Sequence, residues 1–424
     1  MAENLHIEDD RKFDLRKYIL LILIGSAIFL LPYARIVYYD ELIGYLEITP
    51  LQLGSVLALY GTFSTVGTFF SGLLADRYSA KWCLVISLLL TGAGGFILLS
   101  KPSYYGFMGL YMLWGLSITL TYNSPHYKAI RYVGSAKSQG KLFGSVGGLR
   151  FLVSGLFGLA AAVIYSNTIT EESTIPGFVN VIIFFTAIYF VIAFLIIVLW
   201  KKDKPLPLEE RFRPGDAIPV LKHPATWFIG FIIYGVYAMG RCLDLMAPYM
   251  KDTLQIDPGT TAYVNTVRSY FCAVGSGIIL GILLDRSRRK ILLCQIFTAV
   301  AVVGWLSMAM MPTQGSTWHI IFCAALLIGV TAQMGAYLTA FSLLEGANVP
   351  KKITGSIIGV AISIGFLPDI IINYFSNYLA NIYGPAQGCV YLLYIGAAHG
   401  VFAIFMYQMF KYYLKRINAR TAAE

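Results

Sequence analysis

Charge is scarce in this chain. Asp, Glu, Lys and Arg make up 13% of the 424 residues, where a soluble globular protein carries about 25%. Hydrophobic residues reach 57%, and the mean hydropathy is +0.68. That composition excludes an ordinary soluble enzyme, a disordered chain and a nucleic-acid-binding domain, and leaves a polytopic membrane protein. The six cysteines (Cys83, Cys242, Cys272, Cys294, Cys323 and Cys389) lie mostly in apolar runs without CxxC spacing. Neither a disulfide framework nor a zinc site is therefore expected. The sequence has no GxxxxGK[ST] loop, no nucleophile–base arrangement and no metal-ligand cluster. ATP-driven transport, enzymatic activity, a bound metal and a cofactor are accordingly not expected. The amino terminus, MAENLHIEDDRKFDLRK, is acidic and then basic, unlike the start of a signal peptide.

Apolar runs, by contrast, are plentiful. A bilayer core needs about 20 mostly apolar residues per helix. Twelve stretches qualify: 17–39, 50–74, 82–100, 104–126, 139–166, 178–200, 225–250, 258–284, 290–312, 317–345, 353–383 and 387–412. Most connections are short, but Lys201–His223 is long and rich in charge and proline. The expected organisation is an all-α protein of two six-helix bundles, residues 1–200 and 224–424, joined by a linker over 201–223. Outside the spans, only Lys101 and Lys251 depart from a pattern in which Lys and Arg occupy the termini and every second loop. By the positive-inside rule, both termini and the linker are then cytoplasmic. The net charge of +10 is thus topological, and no nucleic acid is needed to explain it. Compact loops and short tails point to a bacterial inner membrane.

The two halves repeat. The loop Gly72-Leu-Leu-Ala-Asp76-Arg77-Tyr-Ser-Ala-Lys81 is matched 209 residues later by Gly281-Ile-Leu-Leu-Asp285-Arg286-Ser-Arg-Arg-Lys290. Gly140 and Gly144 match Gly355 and Gly359 at an offset of 215, and Arg35 and Arg241 stand 206 apart. One nearly constant offset marks an internal duplication, and parallel repeats put a substrate site at the midplane between the halves. The GxLADRxxxK element resembles the signature loop of the major facilitator superfamily, and twelve spans, a 6+6 repeat and a central linker extend that resemblance over the whole chain. The first copy departs at Ser79 and Ala80, and the second lacks the Ala before its Asp. The resemblance implies the superfamily's fold, a transporter and a monomer. Gly72 is expected to let helices approach closely. Asp76, Arg77, Lys81, Asp285 and Arg286 are expected to form latches that break between conformations, or else to fix topology alone.

Four arginines lie inside predicted spans: Arg35, Arg150, Arg241 and Arg268. Each costs about 2.5–3.5 kcal/mol at a helix centre, so their default reading is cavity-lining or paired with acids. The duplication places Arg35 and Arg241 facing each other, which suits an anionic substrate held by planar guanidinium forks. Pairing, for example of Arg241 with Asp244, is the alternative. Arg150 is expected as a third anion ligand, and Arg268 as a substrate contact or a structural partner. Among the intramembrane acids, Asp244, Glu345 and Asp369 are candidates for carrying a proton or for neutralising the arginines. Tyr38, Tyr39, Tyr122 and Tyr263 fall on helices expected to face the cavity.

Arg241 followed by LDLMAPYM, and the run from Pro350-Lys351-Lys352 to Gly355 and Gly359, resemble the organophosphate:anion antiporter branch. That branch holds a phosphoryl group between one arginine in helix 1 and one in helix 7, corresponding here to Arg35 and Arg241. In its glycerol-3-phosphate transporter a helix 5 histidine joins them, at the position of Arg150. The resemblance implies a small organic anion as substrate (a sugar phosphate, sulfonated sugar or sugar acid), with protons or inorganic phosphate as the coupling ion. Two other readings remain open: a proton-coupled carrier of a neutral sugar or drug, and a transporter-like membrane sensor.

Overall fold

A segment such as Ile175–Leu199 contains no charged residue and is apolar on every side. A helix of that kind is stable where its whole circumference meets apolar surroundings, because all its backbone hydrogen bonds are satisfied internally. The computed structural model describes residues 13–134, 139–200, 217–276, 283, 286–287, 289–340, 343, 357 and 360–421. Each of the twelve predicted apolar stretches carries helix among these residues, and the protein is an all-α polytopic membrane protein. Eight described helices are long and apolar enough to cross a bilayer, or nine if a pair bent by 105° counts as one. Large apolar side chains project outward along them, as with Val191, Phe194 and Val198, where lipid rather than water would meet them.

In chain order the helices are α1 (Leu15–Ala27), α2 (Tyr39–Leu46), α3 (Pro50–Arg77), α4 (Ala80–Leu99), α5 (Tyr104–Leu116), α6 (Ser124–Arg131), α7 (Gln139–Thr168) and α8 (Ile175–Leu199). After the undescribed stretch 201–216 come α9 (Ala217–Lys222), α10 (Pro224–Arg241), α11 (Met246–Pro248), α12 (Pro258–Thr266), α13 (Lys290–Met310), α14 (Ser316–Thr339), α15 (Pro368–Tyr383) and α16 (Pro385–Thr421). Starts are marked by proline in the first turn of α10, α12 and α15, where its missing N–H costs nothing. Asp257 caps α12 by accepting from the Thr260 N–H at 2.8 Å. Partial burial opposes its ionisation, but hydrogen bonds from Thr260 and Gly259 outweigh burial and hold the carboxyl below its usual range.

Several predicted spans are not continuous. The stretch 17–39 breaks after Ala27 into turns and a short 3-10 segment, Ala34–Ile36. The stretch 225–250 breaks after Arg241 and resumes at Met246. The stretch 353–383 breaks at Phe366–Leu367, immediately before α15. Wider π-helical turns occupy Ser117–Asn123, Tyr249–Thr253 and Val267–Phe271.

Helices before and after the undescribed stretch pack closely, α3 against α15 and α7 against α12 and the π turn that follows it. Glycine permits this. A Cβ at Gly61 would sit 2.8 Å from Ile370 Cγ1 and 3.1 Å from the Asp369 backbone oxygen, and one at Gly155 would sit 2.5 Å from the Phe271 ring. These two contacts lie in the middle stretches of α3 and α7; toward the end of the bundle at which α3 and α12 begin and α7 and α15 finish, here termed the distal end, a Cβ at Gly54 would sit 2.8 Å from Asn377 Cβ and one at Gly259 would sit 2.9 Å from Ser166 Oγ. Toward the opposite, terminal end, a Cβ at Gly147 or Gly148 of α7, or at Gly275 beyond α12, would meet nothing within 4 Å. Among the described residues, the helices of the two halves therefore meet at the distal end.

Candidate functional site

The breaks carry the buried charges. Arg35 lies within the short 3-10 segment, Arg241 lies in the last turn of α10, and Asp369 lies in the first turn of α15. Arg241 and Asp369 each sit at the helix end whose partial charge favours it, since carbonyl-rich C-termini stabilise cations and N–H-rich N-termini stabilise anions. Arg35 Nη1 donates to Asp244 Oδ2 at 2.7 Å, with both side chains 3% exposed. Arg241 Nε stands 3.8 Å from Asp369 Oδ1. Asp369 accepts from the Tyr237 hydroxyl at 3.0 and 3.1 Å on its two oxygens. The expected alternative of an Arg241–Asp244 pair is therefore corrected, because Asp244 is taken by Arg35 and the acid beside Arg241 is Asp369.

Arg35 and Arg241 do come together, with an aromatic ring between them. The Tyr33 ring centroid lies 5.6 Å from the Arg35 guanidinium carbon and 5.5 Å from that of Arg241. Tyr237 gives Arg241 a second ring at 5.2 Å. The negative faces of the rings partly offset the mutual repulsion of two cations in a dry interior. Arg268, 4% exposed, donates through Nη1 to the Leu243 carbonyl at 3.3 Å. That carbonyl belongs to the turn linking Arg241 to Asp244. Three guanidiniums and two carboxylates thus meet around the breaks, for a net charge of +1.

Arg150 occupies a separate position on α7. It packs beside Tyr122, both within reach of Gly25, and its guanidinium lies 4.8 Å from the Phe151 ring. No carboxylate pairs with it among the described residues. Tyr122 stacks on His126 at 4.7 Å, and His126 Nε2 is hydrogen-bonded to the Leu21 carbonyl at 2.9 Å. Tyr337 bridges the two regions, within electrostatic reach of Arg150, Arg241 and Asp369.

The other predicted residues fall elsewhere. Tyr38 packs on Tyr165 at 5.0 Å and on Phe178 at 6.1 Å. Tyr39 donates to Asn377 Oδ1 at 2.8 Å. Tyr263 is 36% exposed. Lys81, expected to form a latch or else to fix topology, donates to the Ile197 and Trp200 carbonyls at 2.8 Å each, satisfying the C-terminal end of α8. Arg286 is exposed. Only the helical backbone of Gly72, Asp76 and Arg77 is described, and Asp285 and Glu345 lie outside the described residues.

Sequence reasoning missed Tyr33 and Tyr237. Tyr237 could have been found, since it precedes Arg241 by one helical turn and shares its face. It also missed the distal cluster, where Lys251 Nζ pairs with Asp40 and with Glu41 Oε1 at 3.1 Å. Glu41, 2% exposed, accepts from the Tyr165 hydroxyl at 2.6 Å as well.

Comparison with known proteins agrees with this architecture. The family model described as Major Facilitator Superfamily matches residues 18–372. The chain is 23% identical over 372 residues to the Escherichia coli inner membrane protein YqcE, covering 84% of this chain and 86% of that one. It is 24% identical over 359 residues to the Escherichia coli inner membrane protein YihN, covering 82% and 84% respectively. A crystal structure of a bacterial homologue of the human lysosomal transporter Spinster, inward-facing and unoccupied, superposes with a TM-score of 0.71 at 12% identity over 92% of this chain and 95% of that one.

Proposed function

The chain belongs to the Major Facilitator Superfamily, a superfamily of transporters and not of enzymes, and from that premise we propose that it is a secondary transporter of a small organic anion in the cytoplasmic membrane. The substrate class is a sugar phosphate, a sulfonated sugar or a sugar acid, as in the organophosphate:anion antiporter branch it resembles. Residues 1–200 and 224–424 act as the two bundles that move about the Arg35/Arg241/Arg268 site, with 201–223 as their linker. The observation that carries this reading is the +1 excess of three arginines over two aspartates at the helix breaks. Unoccupied, that excess is costly in a medium with little water, and an anion of matching charge relieves it.

Alternating access follows from the asymmetry of the packing. Among the described residues the two halves meet at the distal end, and we read the conformation as closed there and open terminally. With the basic loops cytoplasmic, it is the inward-facing state, and anions reach the site from the cytoplasm past Arg150. Opening the other way requires α3 to leave α15 and Lys251 to leave Glu41. A coupled proton would sit on Asp369. Its contact to Arg241 is long at 3.8 Å and its other partner is a neutral hydroxyl, whereas Asp244 is tied to Arg35 at 2.7 Å. Exchange against inorganic phosphate would use the same guanidiniums without that proton.

The test is thermal unfolding of the purified protein in detergent with sugar phosphates, sulfonates, sugar acids and neutral sugars. An anion at about 100 times its Kd should stabilise the native protein by about 2.7 kcal/mol, and Arg241→Ala should lose the effect. Stabilisation by neutral sugars alone, retained in Arg241→Ala, would replace this reading with a proton-coupled neutral carrier.

A further inference from the structure

The five charges of the site are not equivalent. Arg35 with Asp244, and Arg241 with Asp369, form two pairs of zero net charge. The fifth, Arg268, makes no ion pair with a carboxylate among the described residues, and its one hydrogen bond there goes to a backbone carbonyl. The +1 of the site therefore resides on Arg268. The side chain is 4% exposed, and its Nε and Nη2 are buried without a hydrogen-bond partner among the described residues; Arg35 Nε and Arg241 Nε and Nη1 are in the same condition, but of the three Arg268 is the one that has both Nε and Nη2 free. These two nitrogens share the side-on edge of a guanidinium, where two N–H bonds point the same way and match two oxygens of one carboxylate, sulfonate or phosphate. The third nitrogen, Nη1, is fixed to the Leu243 carbonyl at 3.3 Å, inside the turn between Arg241 and Asp244. That bond orients the fork. Arg268 also lies in the π-helical turn Val267–Phe271, and such turns shift the facing of side chains and recur at functional sites.

We infer that Arg268 is the head-group ligand of the site, binding a singly charged oxyanion through its Nε/Nη2 edge, while the Arg35 and Arg241 pairs position it. This rests on the anion reading proposed above and narrows it. A carboxylate, a sulfonate or a phosphate monoester in its monoanionic form fits both the geometry and the charge. With Asp244 and Asp369 both ionised, a doubly charged phosphate exceeds the charge by one, and a neutral sugar leaves the fork unpaired.

The experiment uses the full-length protein in detergent, with gluconate, glucose 6-phosphate, 2-hydroxyethanesulfonate and glucose as probes, and calorimetric affinities measured for native protein, Arg268→Lys and Arg268→Gln. Lysine keeps the charge and loses the fork. Arg268→Lys should weaken binding of the best singly charged probe by tenfold or more, and Arg268→Gln by more again. Native affinity within twofold in Arg268→Lys, with anions still bound, would overturn the assignment to Arg268 and leave the anion reading standing. Failure of every anionic probe to bind native protein would overturn both.

A second arm needs no variant, in case these fail to fold. The second ionisation of a phosphate monoester lies at about pH 6, whereas gluconate stays singly charged from pH 5.5 to 7.5. Gluconate thus serves as the internal reference for whatever pH does to the protein itself, around Arg268 and its neighbours Asp244, Asp369, Tyr33, Tyr237, Cys272, Cys389, Arg35 and Arg241. The affinity of glucose 6-phosphate relative to gluconate should fall by about tenfold or more over that range. A flat or rising ratio would show that the dianion is accepted and would overturn the single-charge assignment.

Discussion

Arg35 and Asp244 are 209 positions apart in sequence and meet at 2.7 Å with both side chains 3% exposed. Desolvating two ions costs several kcal/mol each, and their attraction recovers this only with good geometry. Such a pair is weak as a source of stability but expensive to half-remove, because the survivor stays buried and unpaired. Arg35→Met alone should therefore destabilise the protein by about 3–5 kcal/mol, and Asp244→Leu alone by a similar amount. The double variant should recover most of the loss, leaving the remaining charges at their native balance of +1. Denaturant or thermal unfolding in detergent checks this, and a double variant no better than the singles would show that the pair is a net stabiliser. The participants were legible in the sequence, since any charge inside an apolar span stands out. Their pairing was not. Helical phase sets side-chain direction only along an unbroken helix, and both Arg35 and Asp244 lie in turns. Tyr33 was hidden for the same reason.

At the scale of elements, hydropathy identified each helical stretch but read straight through the breaks at 28–38, 242–245 and 366–367. A hydropathy window counts apolar side chains and is blind to backbone hydrogen bonds, so Leu30 and Leu31, or Leu243 and Leu245, register as helix. Pro32, Pro248 and Pro368 mark the three regions, but proline is also tolerated inside membrane helices. The close approach of α3 to α15 was equally invisible, because it depends on which glycine faces which helix. Gly61→Ala tests it. The added methyl would meet Ile370 Cγ1 at 2.8 Å and the Asp369 backbone oxygen at 3.1 Å, and backbone cannot move aside by rotating. Overpacking of this kind costs about 1–3 kcal/mol, charged to the distally closed state alone. Spin labels at the distal ends of α3 and α15 should accordingly move apart in a larger fraction of molecules, and transport should fall severalfold. An unchanged distance distribution would mean that the helices are not held by that contact.

For the whole molecule, the sequence reading reached the all-α polytopic membrane fold and the superfamily, both of which depend on composition and motif spacing. It could not reach the conformational state, because two packings of one sequence share the same hydropathy. Lys251 connects the two levels. It is one of only two basic residues, with Lys101, outside the spans on the side that the positive-inside pattern leaves without positive charge. Structure supplies a reason: Lys251 of the chain's second half pairs with Asp40 and Glu41 of the first, and Tyr165 completes the coordination of Glu41. Glu41 is buried at 2% exposure, so removing the lysine leaves a carboxylate that only water at an opened distal end can satisfy. Part of the roughly 3–5 kcal/mol that attends breaking such a pair should then appear as a shift toward the distally open state. Asn377, 1% exposed and hydrogen-bonded to Tyr39 across the same seam, provides the reporter. In an Asn377→Cys background, Lys251→Met should raise labelling by an impermeant thiol reagent from the distal side by about tenfold, equivalent to about 1.4 kcal/mol. Lys251→Glu combined with Glu41→Lys should bring it back down. Labelling that stays at the background level in Lys251→Met would assign the distal seal to the glycine-mediated helix contacts alone, and would leave this lysine as an anchor rather than a gate.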